Sequence, residues 1–112
     1  MRLVIVESPY GSPDSRTVEE NIRYARACMQ DCLRRGEAPF ASHLLYAQGG
    51  ILDDNVRAER EHGIEAGLAW GTKADATAVY TNRGISYGMQ LGIARAQVQG
   101  RPVEYRELAD WK

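Results

Sequence analysis

No apolar run in this 112-residue chain approaches the ~20 residues that a membrane helix needs, so no membrane role is expected. Charge of one sign is also missing. Fourteen Lys and Arg stand against fifteen Asp and Glu, for a formal net charge of −1. That leaves no basic excess with which to grip DNA, RNA or an anionic lipid surface. After Arg2 the chain goes straight into a strand-like run without a signal-peptide pattern, and the expected location is cytoplasmic. Cysteine is scarce. Cys28 and Cys32 sit four apart on one face of an expected helix, with no His or other Cys nearby in sequence. This is neither the C-x-x-C of a redox pair nor a zinc-ligand set, and the two read as small, part-buried hydrophobes. No metal and no cofactor is expected. What is present, 44% hydrophobic and 26% charged residues, is ordinary for a globular protein, and the length suits one domain over 1–112.

The apolar run Leu3-Val4-Ile5-Val6 is rich in β-branched residues and predicts a strand buried on both faces. Thr17 and Glu20 form a T-x-x-E box that starts a helix at Val18. Its apolar positions are Ile22, Ala25, Met29 and Leu33, and Gly36 stops it after Arg34 and Arg35. A short strand is expected over 38–41, then a polar, Gly-rich loop over 42–55. A second helix follows over 56–70, with Ile64, Leu68 and Trp70 inward. A strand over 74–80, a turn, a helix over 86–99 and a strand over 102–105 complete a βαβαβαβ order. The fold class is therefore α/β: a Rossmann-like or flavodoxin-like parallel sheet of about four strands flanked by three helices. Ligands of such folds sit at the carboxyl ends of the strands. Here the loops at those ends, 7–16, 42–55 and 81–86, are all polar or Gly-rich.

The first loop offers Ser8, Pro9, Tyr10, Gly11 and Ser12 ahead of a helix N-terminus, where backbone N–H groups and the helix dipole suit an anion. It matches neither a Walker loop nor G-x-G-x-x-G, and a plain turn accounts for it equally well. In the second loop His43 follows a strand end. It is a candidate ligand contact or a histidine bonded to backbone. Asp53 and Asp54 are read as caps of the next helix or as a pair of acids. In the third, Asn82 and Ser86 could bond a sugar or a base, and Gly88 would let a ligand lie close to the helix start. Their structural counterparts are a turn at Asn82 and an N-cap at Ser86. "GISYG" fits G-x-S-x-G, but no His follows Ser86, which excludes a nucleophile-elbow triad.

The stretches "ESPY", "PFASHLLYAQ", "RAEREHGIEAGLAW", "ADATAVY", "GISYGMQLGIARA" and "GRPVEYREL" follow one another from Leu3 to Arg106. In this order they resemble small bacterial and phage proteins related to the nucleoside 2-deoxyribosyltransferases, within an uncharacterised domain group. The resemblance implies a Rossmann-like fold that binds a nucleoside or nucleotide, in a superfamily that cleaves or exchanges N-glycosidic bonds. It implies a glutamate early in the last helix that attacks the anomeric carbon, an aspartate on the preceding helix that assists at the base, and commonly a homodimer or larger assembly. Carried over, Ser8, Pro9 and Tyr10 fall at the first-loop position, and Asn82, Ser86, Gly88 and Met89 at the loop and helix start that cover the sugar. The two acids do not carry over: their positions fall on Gly92 and Gly67. A covalent glycosyl intermediate needs a positioned carboxylate. Glycine at 92 is expected to remove it and widen the pocket, with Glu7, Asp54 or Glu65 as the acids left to replace it. The expectation is a nucleoside- or nucleotide-binding protein that lacks the usual catalytic carboxylates, lined by Ser8, Pro9, Tyr10, Gly11, His43, Asn82, Ser86, Gly88 and Met89. The alternatives are an active N-glycosidase or deoxyribosyltransferase with displaced acids, and a non-catalytic sensor or sequestering protein for a nucleotide signal, of phage anti-defence type.

Overall fold

In the computed structural model, residues 1–11 and 17–111 are described. Strand β1 (Leu3–Glu7) leads to helix α1 (Val18–Arg34) and strand β2 (Ala38–Phe40). Helices α2 (Ser42–Tyr46) and α3 (Arg57–Gly71), strand β3 (Ala76–Tyr80), helix α4 (Tyr87–Val98) and strand β4 (Val103–Arg106) follow. The four strands form one all-parallel sheet in the order β2-β1-β3-β4. The chain therefore leaves β1 in one direction and returns on its other side at β3. That makes the crevice above β1 and β3 the topological switch point, the usual ligand position in a doubly wound sheet. No helix among the described residues is long and apolar enough to cross a membrane.

Alternation along β1 divides its side chains between the two faces. Val4 and Val6 join Tyr24, Cys28 and Cys32 of α1 with Ala78 and Tyr80 in the main core. Ile5 and Glu7 point the other way, towards α3 and α4. β3 is buried at every position, as its central place in the sheet requires. Helix α1 starts where expected: the Thr17 hydroxyl accepts from the Glu20 N–H at 3.1 Å, and Gly36 takes a positive φ of 78° just past the end. The cysteines are free and buried, as small core residues.

Two expectations change. The segment read as an open loop after β2 begins with the five-residue helix α2, so four helices flank the sheet. Of the α3 residues read as inward, Ile64 is 36% and Trp70 56% exposed, and the indole sits at the rim. It rests on Phe40, ring centroids 5.6 Å apart, and donates its indole N–H to the Tyr46 hydroxyl at 2.7 Å. A three-residue edge strand is too short to cover an indole, and α2 supplies the polar partner that keeps Trp70 at the rim.

Beneath the α1 side of the sheet runs a buried ionic network. Arg106 makes paired 2.8 Å bonds to Glu37 and a third to Glu104, while Arg2 bridges the same two acids at 2.8 and 2.9 Å. Tyr80 donates to Asp31 at 2.7 Å beside the Cys32 thiol. The bonds from Arg106 hold the Glu37 carboxyl well below the usual carboxylate range, at about 2.

Candidate functional site

The expected ligand residues separate into two groups with different neighbours. In the first, Ser8 follows the end of β1 and its Oγ lies 3.4 Å from His43 Nε2 on α2, while the Tyr10 ring tilts over the His43 ring at 5.1 Å. Burial pushes His43 down to about 4, so its imidazole is neutral at pH 7 and one ring nitrogen can accept. Pro9 is buried beside them. The loop is tied to α1 by Asn21, whose amide donates to the carbonyls of Tyr10 (2.9 Å) and Gly11 (3.3 Å). Gly11 itself is exposed, and Ser12 lies outside the described residues. Next to Tyr10 opens a wide groove of about 600 Å³, bordered by 47–55 and containing Asp53 and Asp54. Asp53 closes a turn there by accepting from the Asn55 N–H at 2.9 Å, and no side chain caps α3.

Asn82, Ser86 and Met89 serve the fold. The Asn82 side-chain oxygen accepts from the Tyr24 hydroxyl and from the Leu108 N–H, both at 2.8 Å, and its amide returns a bond to the Leu108 carbonyl at 3.1 Å. It thereby ties the segment after β4 to α1, with Trp111 stacked on Tyr24 at 5.2 Å. Asn82→Ala is expected to cost about 1–3 kcal/mol by leaving buried partners unmet. Faster amide hydrogen exchange at Leu108 than at β3 residues is the measurement that checks it. Ser86 caps α4, accepting from the Met89 N–H at 3.3 Å, and the Met89 side chain turns back beneath it, fully buried. Met89 therefore faces the core, while Gly88, one residue earlier, faces a cleft.

That cleft lies between α3 and α4 above the switch point. Gly67 and Gly71 of α3 border it on one side, Gly88 and Gly92 of α4 on the other, and Glu7 and Arg101 form its polar floor. Its volume is about 70 Å³. Each glycine on the floor side makes room for a particular polar side chain. A Cβ at position 67 would stand 2.7 Å from Ser42 Cβ, one at 71 would stand 3.2 Å from the Arg101 guanidinium, and one at 92 would collide with the Glu7 carboxyl. The two positions that the resemblance assigns to acids thus do border one cleft. The space at 92, expected to widen the pocket, is filled by a carboxyl group from β1. Glu65 is exposed and does not line the cleft.

The Glu7 carboxyl makes no hydrogen bond or ion pair among the described residues. Burial raises its pKa to about 8 against the opposing pull of Arg101. Arg101 turns instead to the Thr77 hydroxyl (2.9 Å), the Gly71 carbonyl (2.6 Å) and the Gln99 side chain. In sequence, Glu7 stands out only as an acid closing an apolar strand run. Nothing local shows that a glycine 85 positions later gives it its seat. Among the described residues no group of three or more His, Cys, Asp and Glu could hold a metal.

A model of the family described as a domain of unknown function, DUF7768, matches residues 2–106, and the chain belongs to that family. No curated protein is similar to it in sequence. Among solved structures it is similar to the 2-deoxyribosyltransferase of Bacillus psychrosaccharolyticus, a biocatalyst for the synthesis of antiviral and antitumoral nucleosides. The TM-score is 0.63 at 16% identity, over 98% of this chain and 75% of that one. The likeness is one of fold: a distant deoxyribosyltransferase-like, Rossmann-like α/β architecture.

Proposed function

We propose that this DUF7768 chain binds a nucleoside or nucleotide at the carboxyl ends of its strands, and that binding rather than covalent glycosyl transfer is its activity. The observation that carries this reading is the cleft at the switch point, edged by glycines on both helices. Gly88, with nothing within 4 Å of where its Cβ would stand, lets a flat ring approach the α4 backbone closely. The fold shared with a deoxyribosyltransferase supports a nucleoside as the occupant. Against covalent transfer stands the absence of a carboxylate at positions 67 and 92. Of the residues expected from the sequence to line the site, Gly88 lines this cleft, while Tyr10 and His43 line other hollows. The assembly that goes with this reading is a homodimer or larger homo-oligomer, and nucleic acid and membrane are not partners.

The test is a thermal-shift panel of nucleosides and 5′-monophosphates, with chromatography of the ligand afterwards. A ligand at 100 times its Kd is expected to add about 2.7 kcal/mol, a rise of several degrees in Tm, and to be recovered intact. No shift with any member of the panel would remove the binding reading. Stoichiometric release of free base would replace it with N-glycosidic cleavage.

A further inference from the structure

The cleft at the switch point is too small for the ligand proposed for it. Its volume is about 70 Å³, against ~150 Å³ for a cavity that encloses benzene and roughly 300–1,000 Å³ for an ordinary small-molecule site. A wall has to give way, and the walls are held very differently. The floor is β1, paired on one side to β2 and on the other to β3. The α4 wall is anchored by buried Met89, Gly92 and Ala96 and by the Ser86 cap. The α3 wall buries a single residue, Gly71, at its last position. Its apolar side chains in the cleft, Ile64 and Leu68, stay partly exposed. A helix held by so little burial opens at a low free energy.

We propose that α3 is a lid hinged at its carboxyl end, and that its residues 57–66 swing away from β1 and α4 to admit the nucleoside and then close on it. The proposal rests on the nucleoside-binding reading and names the motion that the site requires. The hinge side is fixed to the rest of the fold. Arg101 donates to the Gly71 carbonyl at 2.6 Å, and Trp70 stacks on Phe40 of β2 and donates to Tyr46. Gly67 seats against Ser42, where its missing side chain allows the backbone to come close. Ahead of Gly67 the helix rests on its own entry segment instead. Gly63 lies against Leu52, and the Asp53 N–H donates to the Glu59 carboxyl at 2.9 Å in an exposed position. No side chain caps the helix start at Val56. Glu59, in the first turn, also borders the wide groove beside Tyr10, so this end has open space next to it. Closure brings Ile64 and Leu68 onto one side of a flat base, with Leu91 and the bare backbone at Gly88 on the other. The apolar area then covered offsets the entropy lost in ordering the lid.

Amide hydrogen exchange of the wild-type chain tests the lid. It is measured alone and with adenosine, guanosine, cytidine, thymidine or their 5′-monophosphates at millimolar concentration, with Tm as the separate readout of binding. Amides 61–66 of α3 and 91–96 of α4 both lie a full turn inside their helices, so fraying of helix ends does not separate them. In the free protein those of α3 are expected to exchange at least about tenfold faster, through opening of the lid. A bound nucleoside is expected to slow them at least about tenfold. Equal protection of the two stretches in the free protein overturns the lid alone. So does a ligand that raises Tm yet leaves exchange at 61–66 unchanged. No rise in Tm and no added protection with any of these ligands overturns the nucleoside reading and the lid with it.

Discussion

Arg106→Met is expected to destabilise the fold by about 3–5 kcal/mol, the largest loss for any single side chain here, lowering Tm by roughly 10–20 °C. Arg106 is buried and makes both of its close bonds to Glu37 at 2.8 Å, with Glu104 and the Tyr80 hydroxyl on its remaining donors. Its removal takes two of the Glu37 carboxylate's bonds in a largely buried site and leaves Arg2 as its charged partner. The cost is therefore mainly that of a largely buried charge left with fewer partners rather than the net worth of the pair. Replacing both partners, as in Arg106→Met with Glu37→Leu, should recover much of the loss. Chemical denaturation of the two variants at pH 7 is the check. A double variant no more stable than the single one would mean that the network's geometry, not its unmet charge, carries the energy.

Glu7→Gln is expected to stabilise the protein at pH 7, by roughly 3 kcal/mol, and to leave it unchanged near pH 4. The sign follows from the direction of the shift. Glu7 titrates at about 8 in the fold, above its ordinary value of 4.5. The folded state therefore holds a proton that the unfolded chain has lost, and stability declines as pH rises from 4.5 through 8. Two other groups slope the opposite way. Glu37, held at about 2, contributes stability above 4.5 that is lost as pH falls towards 2. His43, held at about 4 against an ordinary 6.5, contributes stability above 6.5 that is lost as pH falls through 4. Between pH 4.5 and 6.5 the slopes of Glu7 and His43 oppose each other. Wild type should show a plateau there, an acid limb below it, and a decline from 6.5 to 8 that Glu7→Gln abolishes. Urea midpoints measured across pH 3–9 test all three limbs at once. A wild-type protein as stable at pH 8.5 as at pH 6 would place Glu7 in water, ionised. A buried acid that destabilises its own fold is a common mark of a functional position.

Some of the elements around the cleft were legible from one dimension. The polar loops after β1 and β3 and the capping serine at 86 come from local chemistry: turn residues, a cap, a strand end. Which of these residues faces the cleft was not legible. Asn82 and Gly88 are both polar or small residues near the same helix start, yet one is bonded to the segment after β4 and the other edges the cleft. The choice is made by Tyr24 and Leu108, which are 58 and 26 residues away in sequence. Helix α2 was missed because five residues span little more than one helical turn, too few for a hydrophobic period to repeat, and its packing comes from α3 through Trp70 and Tyr46.

By itself the sequence determined the parallel α/β class, the approximate limits of the long helices and the carboxyl ends of the strands, because each of these follows from short-range periodicity, caps and turn residues. Only the tertiary structure decided what the glycines at 67 and 92 mean. Read along the chain they are positions where two acids are missing. In the fold they face one cleft, and Gly92 leaves the space that Glu7 fills from β1. The physical reason is that a missing side chain acts through the volume it vacates, and what occupies that volume is set by strands and helices far apart in sequence.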